Sequence, residues 1–224
     1  MSAIKAEDGQ PAFYPTLNDF KLDFEKEIKT LGEQPQRATS VDVWFGGAHR
    51  IAVECKLAEP EFGSCSRTRL KSTDKEFETQ HCDENYMRQR GRSERCALTE
   101  IKVRYWKYLG DLFGWPPDVD HQPCPLDKTY QLVRNVLAAC VRDSGALDTN
   151  TGHALIIYEQ RNPAMGKDGV CDFQWRTAYE ALQTRGALRR LSWQSFIAQW
   201  PSDAILDWLK KELGAKYGLQ PSLS

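Results

Sequence analysis

The sequence predicts an α/β chain in which helices flank one central, mixed β-sheet. Three observations carry that expectation. Residues 40–57 alternate apolar and polar side chains on both sides of a short turn-rich stretch, which is the pattern of a hairpin. Ala154-Leu-Ile-Ile-Tyr158 is continuously apolar, as a strand covered on both faces requires. Elsewhere apolar residues return at helical spacing in several stretches. A chain of 224 residues suits one sizeable domain, read as 1–224 with a long inserted loop over 58–96.

Residues 1 to about 13 are polar and are expected to fray. Leu17, Phe20, Phe24, Ile28 and Leu31 then form a stripe that predicts a helix over 17–31, ended by Gly32. Residues 34–38 link it to the hairpin. With a loop over Gly46–Arg50, Phe45 opposes Ile51, Val43 opposes Val53 and Val41 opposes Cys55 on an apolar side. On the other, exposed side Trp44 meets Ala52, Asp42 meets Glu54 and Ser40 meets Lys56. Residues 58–96 are polar, charged and without persistent period, and a loop of that length is usually functional. A helix is expected over Ala97–Phe113, stopping before Gly114 and the turn Trp115-Pro-Pro117. A second amphipathic helix follows over Leu126–Val141, then the 154–158 strand and a helix over Asp172–Gln183. Leu188–Trp193 reads as an edge strand, with Ser192 capping a helix that runs through Trp200. Ser202 or Asp203 caps the last helix, Ala204–Tyr217, whose stripe is Ile205, Leu209 and Leu213.

The hairpin carries the chemistry. Two carboxylates directly opposed across strands repel unless a cation or a shared proton lies between them. A hard divalent ion such as Mg²⁺ meets that need through oxygen ligands. Lys56, two residues past Glu54, shares their face and brings the positive charge that phosphate chemistry uses. Glu-x-Lys alone is a weak signal, since Glu27-Ile-Lys29 and Glu100-Ile-Lys102 repeat it in stretches read as helical. On a helix, positions i and i+2 do not share a face.

Asp42 followed by Glu54-Cys-Lys56 on the next strand resembles the catalytic core of the PD-(D/E)xK nuclease superfamily. Leu57-Ala-Glu-Pro-Glu-Phe-Gly-Ser-Cys-Ser-Arg67 is similar to a branch described as restriction endonucleases. So are Arg95-Cys-Ala-Leu-Thr99, Arg104-Tyr-Trp106, Tyr130-Gln-Leu-Val-Arg-Asn135 and Lys216-Tyr-Gly218, so the resemblance runs from about residue 39 onward. It implies a restriction-endonuclease-like fold and hydrolysis of DNA phosphodiester bonds with Mg²⁺ or Mn²⁺, in restriction, repair or defence. Asp42, Glu54 and the backbone carbonyl of Cys55 would hold the metal, and Lys56 would act on the water and the phosphate. It also implies that the helix after the Glu-x-Lys strand lends a glutamine to the site, here Gln131, and that the first helix offers a further acid, Glu25 or Glu27.

Composition bounds the rest. The net charge of −1 gives no global field for a polyanion, so any DNA surface must come from local segregation. The densest supply is Arg88, Arg90, Arg92 and Arg95, extended by Lys102, Arg104 and Lys107, with Tyr86 and Tyr105 near in sequence to pack on sugar or bases. Arg185, Arg189 and Arg190 are the fallback surface. Seven cysteines at dispersed spacing, with no apolar leader and no membrane-spanning run, are expected of a cytoplasmic chain. Cys65, His81, Cys82 and Cys96 make a candidate Zn²⁺ set, though without a compact Cys-x-x-Cys pair. A homodimer is compatible with all of this. Two rival readings are a nuclease-fold subunit that binds nucleic acid or a partner without cutting, and a zinc-stabilised interaction module. There is no Gly-x-Ser-x-Gly and no Gly-x₄-Gly-Lys, so serine-hydrolase and P-loop chemistry lack their motifs.

Overall fold

The computed structural model describes residues 4–14, 20–33 and 39–219. Five strands form one sheet in sequence order: β1 (Lys21–Ile28), β2 (Thr39–Gly46), β3 (Arg50–Lys56), β4 (Gly152–Tyr158) and β5 (Leu188–Ser192). β1, β2 and β3 are antiparallel, whereas β3, β4 and β5 run parallel. The short connections allow only antiparallel returns, while each parallel step needs a crossover. The first crossover carries α1 (Phe77–Gln80), α2 (Ala97–Glu100), α3 (Trp106–Phe113) and α4 (Pro125–Cys140). α5 (Val170–Ala181) makes the second, and α6 (Trp193–Ala198) and α7 (Ala204–Tyr217) follow β5. The fold is therefore α/β, a mixed sheet flanked by helices, consistent with a restriction-endonuclease-like architecture. Among the described residues no helix is long and apolar enough to cross a membrane.

Two layers cover the sheet. On one side Ala154 and Ile156 of β4 pack with Leu132, Val136, Leu109 and Trp175 from α4, α3 and α5. On the other, Ile51, Val53, Leu155, Ile157 and Leu191 are covered by Ala6, Ala12, Phe13, Trp193 and Phe196. β3 and β4 are thus interior strands buried on both faces, as the apolar run at 154–158 requires. Residues 58–96 belong to the same body, because Phe62, Cys65, Tyr86 and Cys96 enter the main core.

Several expectations give way. The helix over 17–31 is instead strand β1, with 15–19 outside the described residues. Phe20, Phe24 and Ile28 are spaced by four, which is both a helical repeat and twice the strand period, so spacing could not separate the two. Pairing with β2 decided it, and Phe24 is left exposed on the edge strand. Glu27-Ile-Lys29 accordingly lies along an exposed edge, with Lys29 Nζ 3.5 Å from Glu27 Oε2, and not on a helix. The helix over 97–113 is broken into α2 and α3, with Lys102 at φ +73°. Arg104 N donates to Leu31 O at 2.8 Å, so that amide is spent outside any helical ladder. Ser192 caps α6 by accepting from Ser195 N, but α6 ends at Ala198 and does not reach Trp200. Asp203, not Ser202, caps α7 through Ile205 N and Leu206 N. That helix buries none of its residues, and Ile205 of the expected stripe is exposed.

Candidate active site

β2, β3 and α4 converge on Glu54. The β2–β3 ladder pairs Phe45 with Ile51, Trp44 with Ala52 and Val43 with Val53, and its register ends there. Beyond it the Asp42 carboxylate replaces a backbone acceptor, Oδ2 taking the Cys55 N–H at 2.8 Å. Val41 consequently packs with Trp44, Ala52 and Ala138, not on the Val43 and Cys55 side that strict alternation assigned it. Glu25, at φ +48°, falls between the pairs Phe24–Val43 and Lys26–Val41, opposite Asp42. It is exposed and its Oε2 accepts from Ser40 Oγ at 3.1 Å.

The carboxylate face is not exposed. Glu54 is 4% and Lys56 7% accessible, because α4 lies across this face of the now interior strand. Lys56 Nζ stands 3.0 Å from Glu54 Oε1, and Gln131 Nε2 donates to the same oxygen at 2.5 Å. Asn135 Nδ2 donates to Oε2 at 3.0 Å. Gln131 is itself fixed at both ends, exchanging backbone and side-chain bonds with Gly63 at 3.1 Å. Burial raises the Glu54 pKa; Lys56 opposes that, the Asp42 charge adds to it, and the Asn135 bond opposes it. Two acids, one lysine and two amides therefore share one corner, in which Glu54, Lys56 and Asn135 are buried and Asp42 and Gln131 half-buried. Asn135 is the residue that the sequence reading missed. Its signal was available: Gln131 and Asn135 are amide side chains at i and i+4 of the helix, so they share a face.

Gln131 also lines a cleft of about 1030 Å³ with Gly63, Arg67, Arg69, Tyr130 and Arg134, among others. Its other charged walls are Glu33 and Glu76. Arg88, Arg90, Arg92, Arg95 and Arg104 do not line it. Arg88 is exposed, while Arg90 pairs with Glu78 and covers the Phe77 ring. Arg92 is buried, Arg95 pairs with Asp120, and Arg104 donates to the Thr30 carbonyl. Tyr86 and Tyr105 are core residues, Tyr86 stacking on Trp106 with ring centroids 3.4 Å apart, so neither is open to a base. Of the fallback arginines, Arg189 is buried and Arg190 pairs with Glu7 and Asp172.

Cys65, Cys82 and Cys96 line one small cavity, joined there by Cys124. His81 does not line it; its ring stacks on Phe77 and its Nδ1 faces Asp83 at 3.2 Å. Among the described residues, no three His, Cys, Asp or Glu side chains are already gathered for one metal ion.

The family described as Restriction Endonuclease associating with ARP matches residues 7–218. No curated protein and no solved structure matches the chain.

Proposed function

The chain belongs to that restriction-endonuclease family, and from this premise we propose that it is a PD-(D/E)xK nuclease hydrolysing DNA phosphodiester bonds with Mg²⁺ or Mn²⁺. The observation that carries the reading is the buried Glu54, bonded to Lys56, Gln131 and Asn135 and lying within the field of Asp42. A cross-strand ion network of no function would sit on the surface, where such pairs contribute little. Here Glu54 and Lys56 are withdrawn from water with Asp42 half-buried beside them, and removing such charges from water is costly.

The donors fit a hard cation. Asp42 Oδ1 has no partner among the described residues, and Asn135 Oδ1 is buried without one. Carboxylate and carbonyl oxygens suit Mg²⁺, which keeps the remaining positions for water and phosphate. Asp42, Glu54 and the Cys55 carbonyl would hold the ion. When bound, it would neutralise phosphoryl charge and lower the pKa of a coordinated water. Gln131 and Asn135 hold the Glu54 carboxylate in one orientation, and Lys56 supplies the cation for the phosphate.

Purified protein incubated with plasmid and single-stranded DNA is expected to cut only when Mg²⁺ or Mn²⁺ is supplied. Transfer to divalent-free buffer should stop the reaction and excess Mg²⁺ restore it. A folded protein that binds DNA but cuts no substrate with either ion would make it a binding subunit instead.

The same reading places the phosphate track in the cleft beside Gln131. Changing Arg69 and Arg134 to Gln is expected to weaken binding to all sequences alike, since phosphate contacts carry little sequence information. Each lost contact should reduce the magnitude of the slope of log affinity against log salt by roughly 0.9. An unchanged slope in this double variant, with a lowered one after Arg88→Gln, would move the track to the 88–95 segment.

A further inference from the structure

We propose that Cys65, Cys82, Cys96 and Cys124 bind one Zn²⁺ as a structural centre that fastens the long β3–α4 crossover to itself. The four lie far apart in sequence, with no two in a Cys-x-x-Cys pair, so spacing alone could not join them. The backbone does. Cys65 N donates to Asp127 O at 2.9 Å, Cys82 N to Arg67 O at 3.2 Å and Cys124 N to Glu84 O at 2.7 Å. These bonds tie the chain around each cysteine to the chain around another. The four side chains line one cavity of about 20 Å³, room for a single small occupant.

A second observation asks for negative charge there. Arg92 is 7% accessible, its guanidinium meets no oxygen or nitrogen acceptor, and the group beside it is the Cys82 thiol. A buried guanidinium is stable only beside an anion. A neutral thiol does not provide one, and Glu84 and Asp127, which also line the cavity, pair with Lys128. Zinc binding would supply it: four S–H groups lose their protons to solvent and four Zn–S bonds form, with no change of oxidation state. The resulting centre carries two net negative charges, one of which Arg92 can offset.

The thiols line the cavity without meeting at one point. Rotation about each Cα–Cβ bond is the motion that swings a sulfur, so closure onto an ion is a matter of rotamers. The benefit falls where the fold is weakest in regular structure. Between β3 and α3 the described helices are a single 3₁₀ turn at Ser66–Arg69 and the four-residue α1 and α2. Segments that cannot bury a sufficient core of their own are commonly fastened by such a metal. Cys124 takes the place that the sequence reading gave to His81.

Elemental analysis of the full chain, purified without chelator, is expected to give about one zinc per chain. Exchange with Co²⁺ should produce thiolate-to-cobalt charge transfer and the intense visible bands of a tetrahedral thiolate site. Cys124→Ser should lose that spectrum and His81→Ala should keep it. A zinc content near zero in soluble wild-type protein, a cobalt spectrum without thiolate bands, or full zinc in Cys124→Ser would overturn the site. The wild-type measurements decide the matter even where a cysteine variant fails to fold. DNA cleavage is not a readout here, so the outcome is separate from that of the nuclease reading.

Discussion

Asp42→Asn is expected to abolish DNA cleavage while leaving the melting transition near that of the parent. The substitution keeps size and an oxygen acceptor for the Cys55 N–H, so the end of the β2–β3 ladder stays closed. It removes the charge that would hold the metal, and losses of that kind are on the order of 10²–10³-fold or more. Glu54→Ala and Lys56→Ala should also abolish cleavage, but they are poorer tests. Glu54 and Lys56 form a buried pair, and removing one member of such a pair typically costs about 3–5 kcal/mol. Glu54→Gln is the cleaner partner experiment. The folded-state pKa of Glu54 is raised above its ordinary 4.5, so the native chain holds that proton more tightly than the unfolded chain. Its ionisation therefore costs stability as pH rises from 4.5 through the raised value. Without added metal, the melting point of Glu54→Gln relative to the parent should climb over that window. Wild-type cleavage by both Asp42→Asn and Glu54→Gln would remove these residues from the site.

Val53→Asp is expected to prevent stable folding. Val53 is 2% accessible and sits among Ile51, Leu155, Ile157 and Leu191, with Val43 opposite it in the β2–β3 register. A carboxylate there finds no donor, and the destabilisation should be upwards of about 3 kcal/mol. Phe24→Asp is the matched contrast. A helix over 17–31 would make Phe24 a core residue, whereas on β1 it is 70% accessible. The change should move stability by no more than about 0.5 kcal/mol. Thermal melts of the two variants separate the architectures, because a helical N-terminal segment requires both to be damaging.

The part of this protein legible in its sequence was the part set by local period and by chemistry. The alternation of residues 43–53 allowed one hairpin register, because a slip by one residue would turn every core side chain to the opposite face. The unbroken apolar run at 154–158 specified an interior strand. Opposed acids followed by a lysine marked the candidate site, and the stripe of 126–141 gave the helix that covers it. Tertiary structure decided what those signals left degenerate. A spacing of four fits either a helix face or a strand face, and only pairing with β2 made 21–28 a strand. Burial of Glu54 and Lys56 depends on β4 arriving beside β3 and α4 folding over both, contacts between segments about eighty to a hundred residues apart. The recruitment of Asn135 to Glu54, and of Cys124 to Cys65, Cys82 and Cys96, has the same origin. Such meetings are fixed by how the crossover closes on the sheet, which no local pattern encodes.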